Sequence, residues 1–171
     1  MQRGKKRTFD TSKSPTDAIK EREIVSIKNA TDCVLDAGLL LRYFSKTSSF
    51  LQEWLDANFF TKDANIMLHC HIISRTEVYY ITCRDIGVEE AKKLLEKLDL
   101  LVVVHNESML AEMAGKVKCA HSIALGDCFS IATAQMLKCP VLFKQERELT
   151  KEVVTSLQQK FGVQAIILPI L

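Results

Sequence analysis

Two patterns of apolar positions alternate along this chain. One is a short continuous run bounded by polar residues; the other recurs at steps of three and four. The first predicts buried strands and the second predicts helices with one apolar face. Residues 31–36 predict a first strand, and residues 39–44 open a helix. Phe50, Leu51, Trp54 and Leu55 repeat at helical spacing. Residues 66–73 predict a second strand, followed by a helix over 75–84 that Gly87 closes. Val88, Ala91, Leu94, Leu95 and Leu98 mark an amphipathic helix with Glu89, Glu90, Lys92, Lys93, Glu96 and Lys97 outside.

Residues 100–104 predict a third strand and 107–118 a helix. Residues 125–137 are apolar almost all round, which predicts a central, buried helix. Pro140 breaks the chain before a strand at 141–143. A helix over 150–160 and a strand over 163–168 complete the pattern, with no internal repeat or low-complexity tract. Alternation of this kind predicts an α/β fold with a mostly parallel central sheet between two helical layers.

Composition narrows the class. A length of 171 residues, 47% of them hydrophobic, allows one domain with a substantial core. Residues 1–28 differ from the rest, being polar and basic, with Arg3, Lys5, Lys6 and Arg7 crowded together. They are expected to form an extension to a domain over 29–171. The formal net charge of +2 permits a nucleic-acid partner without requiring one. None of the six cysteines forms a CxxC pair, so they read as small buried hydrophobes in a reducing compartment. No secretory signal and no apolar run of about 20 residues is visible, which makes a cytoplasmic protein without membrane contact the expectation.

Four acids carry the candidate chemistry. Asp36, Glu77 and Glu146 follow strand-like runs, and Asp127 opens the buried helix. Ligands of open α/β sheets collect at the carboxyl ends of strands. Gathered carboxylates resist ionising unless a cation offsets them, and such hard oxygen ligands suit Mg²⁺ or Mn²⁺. Each acid also has a plainer reading. Asp36 has the chemistry of a helix N-cap. Ser74 and Glu77 have the spacing of a capping box. Asp127 follows Gly126 at a helix start, although a carboxylate among apolar neighbours needs a partner. Glu146 and Glu148 could be solvated acids near a helix N-terminus. His69 and His71 share one strand face, a spacing open to zinc, to ordinary packing or to RNA contact, but no second ligand pair accompanies them.

Taken in order, these residues resemble the PIN-domain nucleases, and among them the VapC-type toxins. Cys33-Val34-Leu35-Asp36-Ala37 is similar to the family's opening strand and first acid. Residues 72–80 are similar to its second motif, with Glu77 as the acid, and residues 122–134 to its third, with Asp127. The fourth motif departs from the pattern. Phe143 stands where the family has a hydroxyl, and the nearest acid, Glu146, is displaced by about a residue.

The resemblance implies a three-layer PIN-like fold and hydrolysis of RNA phosphodiester bonds in single-stranded or loop regions of tRNA or rRNA. One or two Mg²⁺ or Mn²⁺ ions would be held by Asp36 and Asp127, with Glu77 acting through water and Glu146 at a second metal position. Arg42, Arg75, Lys144 and Arg147 are the leading RNA contacts, with Arg84, Lys116 and Lys118 behind them. An antitoxin partner and a homodimer are inherited expectations. Two other readings stay open: an RNA-processing nuclease of ribosome maturation, and a non-catalytic RNA-binding scaffold on the same fold, which the altered fourth motif keeps in play.

Overall fold

The computed structural model describes residue 27 and residues 29–45, 50–60 and 65–168. Five strands and seven helices alternate within them. The chain runs β1 (Asp32–Leu35), α1 (Ala37–Tyr43), α2 (Phe50–Phe59), β2 (Met67–His71), α3 (Ile72–Ile86) and α4 (Val88–Leu101). It continues through β3 (Val103–His105), α5 (Met109–Ala120), α6 (Leu125–Leu137), β4 (Val141–Lys144), α7 (Lys151–Phe161) and β5 (Ala165–Leu168). The extension expected over 1–28 lies outside the described residues except for Ile27, which is buried in the core.

The sheet has the order β3-β2-β1-β4-β5, and every neighbouring pair is parallel. Alternate side chains of its strands feed two separate cores. Cys33, Leu35, Leu68, Cys70, Leu142 and Ile166 pack with Leu40, Leu55, Val78 and Leu98 of α1–α4. Val34, Val141, Phe143 and Ala165 pack with Leu110, Ile131 and Leu157 of α5–α7. The central strands β1 and β4 are buried on both faces, as their apolar runs require, whereas the edge strand β3 is partly exposed. This is the three-layer α/β sandwich that the alternating pattern predicts.

Several boundaries differ from the sequence reading. The second strand stops at His71 because the His71 side chain caps a helix there, its Nδ1 accepting from the Ile73 N–H at 3.1 Å. Ile72 and Ile73 are therefore helical. Leu100 and Leu101 end α4 rather than opening β3, since Val102 is that helix's C-cap. Ser74 is not an N-cap. It lies inside the first turn of α3, fully buried, and the capping-box reading of Ser74 and Glu77 is overturned. α6 matches its predicted span and ends at Lys138, in the left-handed conformation (φ 56°), two residues before Pro140.

The strand order reverses between β1 and β4. From β1 the chain builds outward through β2 to β3, then crosses back to lay β4 on the other side of β1. Such a switch point leaves a crevice outside the carboxyl ends of the two strands. Asp36 immediately follows β1, and Glu146 lies two residues beyond β4.

Candidate metal centre

Asp36 is held from three directions. Its backbone N–H continues the sheet ladder to the Leu142 carbonyl at 3.1 Å. Its Oδ2 caps α1 by accepting from the Gly38 N–H at 2.9 Å. Its Oδ1 accepts from the Ser130 hydroxyl at 3.0 Å. Capping and facing the crevice are thus not alternatives, because one carboxylate does both. Burial raises its pKa above the ordinary 3.8, the Gly38 and Ser130 hydrogen bonds oppose that, and the charge of Glu146 adds to it.

The hydroxyls behind Asp36 form a short directed chain. Ser130 spends its single proton on Asp36, so across the 3.2 Å contact between Ser74 and Ser130 it is Ser74 that donates. Both serines are fully buried.

Asp127 occupies the third position of α6 and is 5% exposed. Its Oδ2 is buried with no hydrogen-bond partner. Desolvation, followed by the charges of Asp36, Glu146, Glu77 and Glu148, pushes its pKa up to about 8. A buried acceptor left without a donor is costly, and an arriving cation would remove that cost.

Glu77 lies in the second turn of α3, not directly after a strand as the apolar run suggested. It meets the start of α6 closely: a Cβ on Gly126 would fall 2.7 Å from Glu77 Oε1. Its pKa is raised by burial, then by Asp36 and Glu146. Glu146 contributes its charge to all three other acids while lying 3.5 Å from the Lys144 ammonium.

All four predicted acids therefore share one electrostatic site. Among the described residues, no three His, Cys, Asp or Glu side chains are grouped closely enough to hold a metal ion between them. The acids feel one another's charge without converging on one point. Acids so arranged would engage a divalent ion through one or two carboxylates, with water filling its other positions, rather than as a closed structural site. The hard donor set and the orphaned Asp127 oxygen both fit such an ion.

Other candidates have separate roles. His71 caps α3 and stacks on Phe129, with ring centroids 4.3 Å apart. His69 links Asp32 Oδ1 (2.8 Å) to His105 (3.0 Å), and His105 in turn meets Glu107 at 2.9 Å. The two imidazoles that shared a strand face thus serve different networks. Phe143 is fully buried on the α6 side of the sheet, and Lys144 is the β4 residue whose side chain reaches Glu146. Arg75 makes a two-pronged ion pair with Asp99, at 2.8 and 2.7 Å. Lys116 pairs with Glu112 and Lys118 donates to the Ile123 carbonyl, whereas Arg84 and Arg147 are exposed and Arg42 is partly buried in the last turn of α1.

The sequence reading missed Ser130 and Gly38, and gave Ser74 and Gly126 only helix-start roles. Ser130 had a legible signal: a hydroxyl one turn after Asp127 on a largely apolar buried helix, hence on the same face.

The chain is thus a parallel three-layer α/β domain in which four acids share one electrostatic site. The sequence matches the PIN-domain family over residues 33–151, more than half of its length, and the chain belongs to that family. No curated protein sequence matches it. Solved structures share the fold at low identity. VapBC2 of Rickettsia felis, bound to a promoter DNA fragment, matches at 10% identity and a TM-score of 0.59, over 81% of this chain and 98% of that one. DNA-bound VapBC of Salmonella typhimurium matches at 12% and 0.57, over 81% and 97%. A toxin–antitoxin complex of Klebsiella pneumoniae matches at 16% and 0.52, over 70% and 91%. No helix among the described residues is long and apolar enough to cross a membrane.

Proposed function

We propose that this chain is an Mg²⁺- or Mn²⁺-dependent endoribonuclease, the toxin of a toxin–antitoxin pair, working in the cytoplasm. The observation that carries the reading is Asp127: a buried carboxylate oxygen with no partner, at a helix N-terminus, in the field of four further acids. Membership of the PIN-domain family supports nuclease chemistry. The structural neighbours described as toxin–antitoxin complexes support an antitoxin partner, with a homodimer as part of the same reading.

Hydrolysis requires a water oxygen to add to phosphorus while one phosphoester bond breaks and its oxygen gains a proton. A bound divalent ion supplies acidification of that water and relief of phosphate charge. Asp36 and Asp127 are the residues to hold it. Asp36 is already fixed in orientation by Gly38 and Ser130, so little reorganisation accompanies binding. Glu77, raised in pKa and beside the start of α6, is suited to orient the attacking water and accept its proton. Glu146 closes the fourth side. The substrate is single-stranded or loop RNA, because an unstacked strand can enter an acidic crevice that a duplex cannot. Arg42, the exposed Arg147 and Lys144, which lies against Glu146, are its backbone contacts.

Incubating the purified chain with tRNA and structured RNA tests this. Cutting in Mn²⁺ that is lost in EDTA and in both Asp36→Asn and Asp127→Asn is the expected result. Metal-independent cutting, or cutting that survives both substitutions, would remove the assignment. RNA binding without cutting, with Mn²⁺ bound weakly or not at all, would favour the scaffold reading instead.

A further inference from the structure

Lys144 ends β4, and its side chain lies back across the first turn of α1. A Cβ on Gly38 would come within 2.7 Å of Lys144 Cε and 3.2 Å of its Cδ. The lysine stem is thus laid directly on the Gly38 backbone, whose N–H holds Asp36. The same absent Cβ would lie 3.0 Å from Glu146 Oε1. Lys144 and Glu146 therefore share the space over Gly38, with the ammonium 3.5 Å from the Glu146 carboxylate and two-thirds of the lysine side chain covered.

The consequence is one of charge. Four carboxylates repel one another here, and an RNA phosphate brings a further negative charge. On the Glu77–Asp127 side no basic side chain is paired with the acids among the described residues, and Asp127 Oδ2 is orphaned. On the β4 side, Glu146 already has its cation. A divalent ion coordinated there by Asp36 and Glu146 would have to sit against the ammonium, at strong Coulomb cost.

We infer that Lys144 stands in for a second metal ion. The site takes one divalent ion, on the Asp36–Asp127 side. The Lys144 ammonium supplies the fixed positive charge on the Glu146 side, where it meets the RNA phosphate through a charge-assisted hydrogen bond. Lys144 is a charge-balancing residue rather than one more surface contact. This inference rests on the metal-dependent reading above.

Titrating Mn²⁺ into the metal-free full-length chain, with the bound ion counted by calorimetry and by the loss of the free-Mn²⁺ resonance signal, separates the two. The expected count is one ion per chain in the wild type and in Lys144→Arg, and two in Lys144→Met. Lys144→Gln replaces Lys144→Met if near-ultraviolet spectra show the latter misfolded. Two ions in the wild type, or one ion in the neutral variants, would overturn the role of Lys144 while leaving the metal-dependent reading intact. No Mn²⁺ bound by the wild type would overturn that reading, and this inference with it.

Discussion

The Ser130 hydroxyl donates to Asp36 Oδ1 at 3.0 Å, joining residues 94 positions apart in the chain. The bond ties the helix that carries Asp127 to the strand end that carries Asp36. It also fixes the direction of the Ser74 hydroxyl behind it.

Removing that hydroxyl leaves two buried groups, Asp36 and Ser74, short of a partner. Ser130→Ala is expected to cost about 1–3 kcal/mol of stability. It should also weaken Mn²⁺ binding by roughly tenfold or more, as the loss of groups that orient a metal ligand does elsewhere. Urea melts and Mn²⁺ titrations measure the two effects. Unchanged metal affinity would mean that Asp36 needs no orientation from α6.

The raised pKa of Asp127 fixes the sign of a pH effect. Folded, this group holds its proton up to about pH 8, whereas its ordinary value is 3.8. Between those values the folded state binds more protons than the unfolded one, so stability falls as pH rises. Asp127→Asn abolishes the effect. In EDTA the variant should melt above the wild type, with a gap that widens from pH 5 to pH 8, reaching about 3 °C or more, and then levels off. Added Mn²⁺ should stabilise the wild type and not the variant. A gap that shrinks with pH would contradict the burial and charge that raise this group.

Gly126 makes room for Glu77. The clash an added Cβ would create is with the mobile end of the Glu77 side chain, not with backbone. Alanine is also the better helix former, by about 1 kcal/mol. Gly126→Ala should therefore leave the melting temperature equal or higher while lowering RNA cleavage about tenfold, because Glu77 is pushed from its place. A large loss of stability would show that the backbone, not Glu77, gives way.

Arg75 was an expected RNA contact, yet its guanidinium is engaged by Asp99 and joins α3 to α4. Both side chains are partly exposed, which limits what the pair contributes to about 1 kcal/mol or less. Arg75→Gln should lower the melting temperature by a few degrees at most and leave RNA affinity unchanged in filter-binding assays. A marked drop in affinity would return Arg75 to the RNA path.

The periodicity of apolar residues was sufficient for the layers. Strands buried on both faces must be apolar throughout, and a helix on their surface must repeat every three to four residues, so β1, α4 and α6 could be read from the chain itself. The acids could be read as candidates because a carboxylate beside a buried run has few cheap explanations. Boundaries were less legible. Ile72 and Ile73 have strand propensity, but the His71 cap starts α3 before them, and a cap is set by the direction of one side chain.

The site's assembly belongs to the tertiary structure alone. Asp36, Glu77, Asp127 and Glu146 lie up to 110 positions apart in the sequence, and no local pattern carries the distance between them. What brings them together is the crossing of the chain from β3 back to β4, which opens the crevice beside β1. The same crossing lays Lys144 over Gly38 and sets Ser130 against Asp36. Local sequence decides which segments bury their side chains, since burial depends on neighbours three or four residues away. Which charges then face one another depends on how those segments pack, and only the folded chain contains that information.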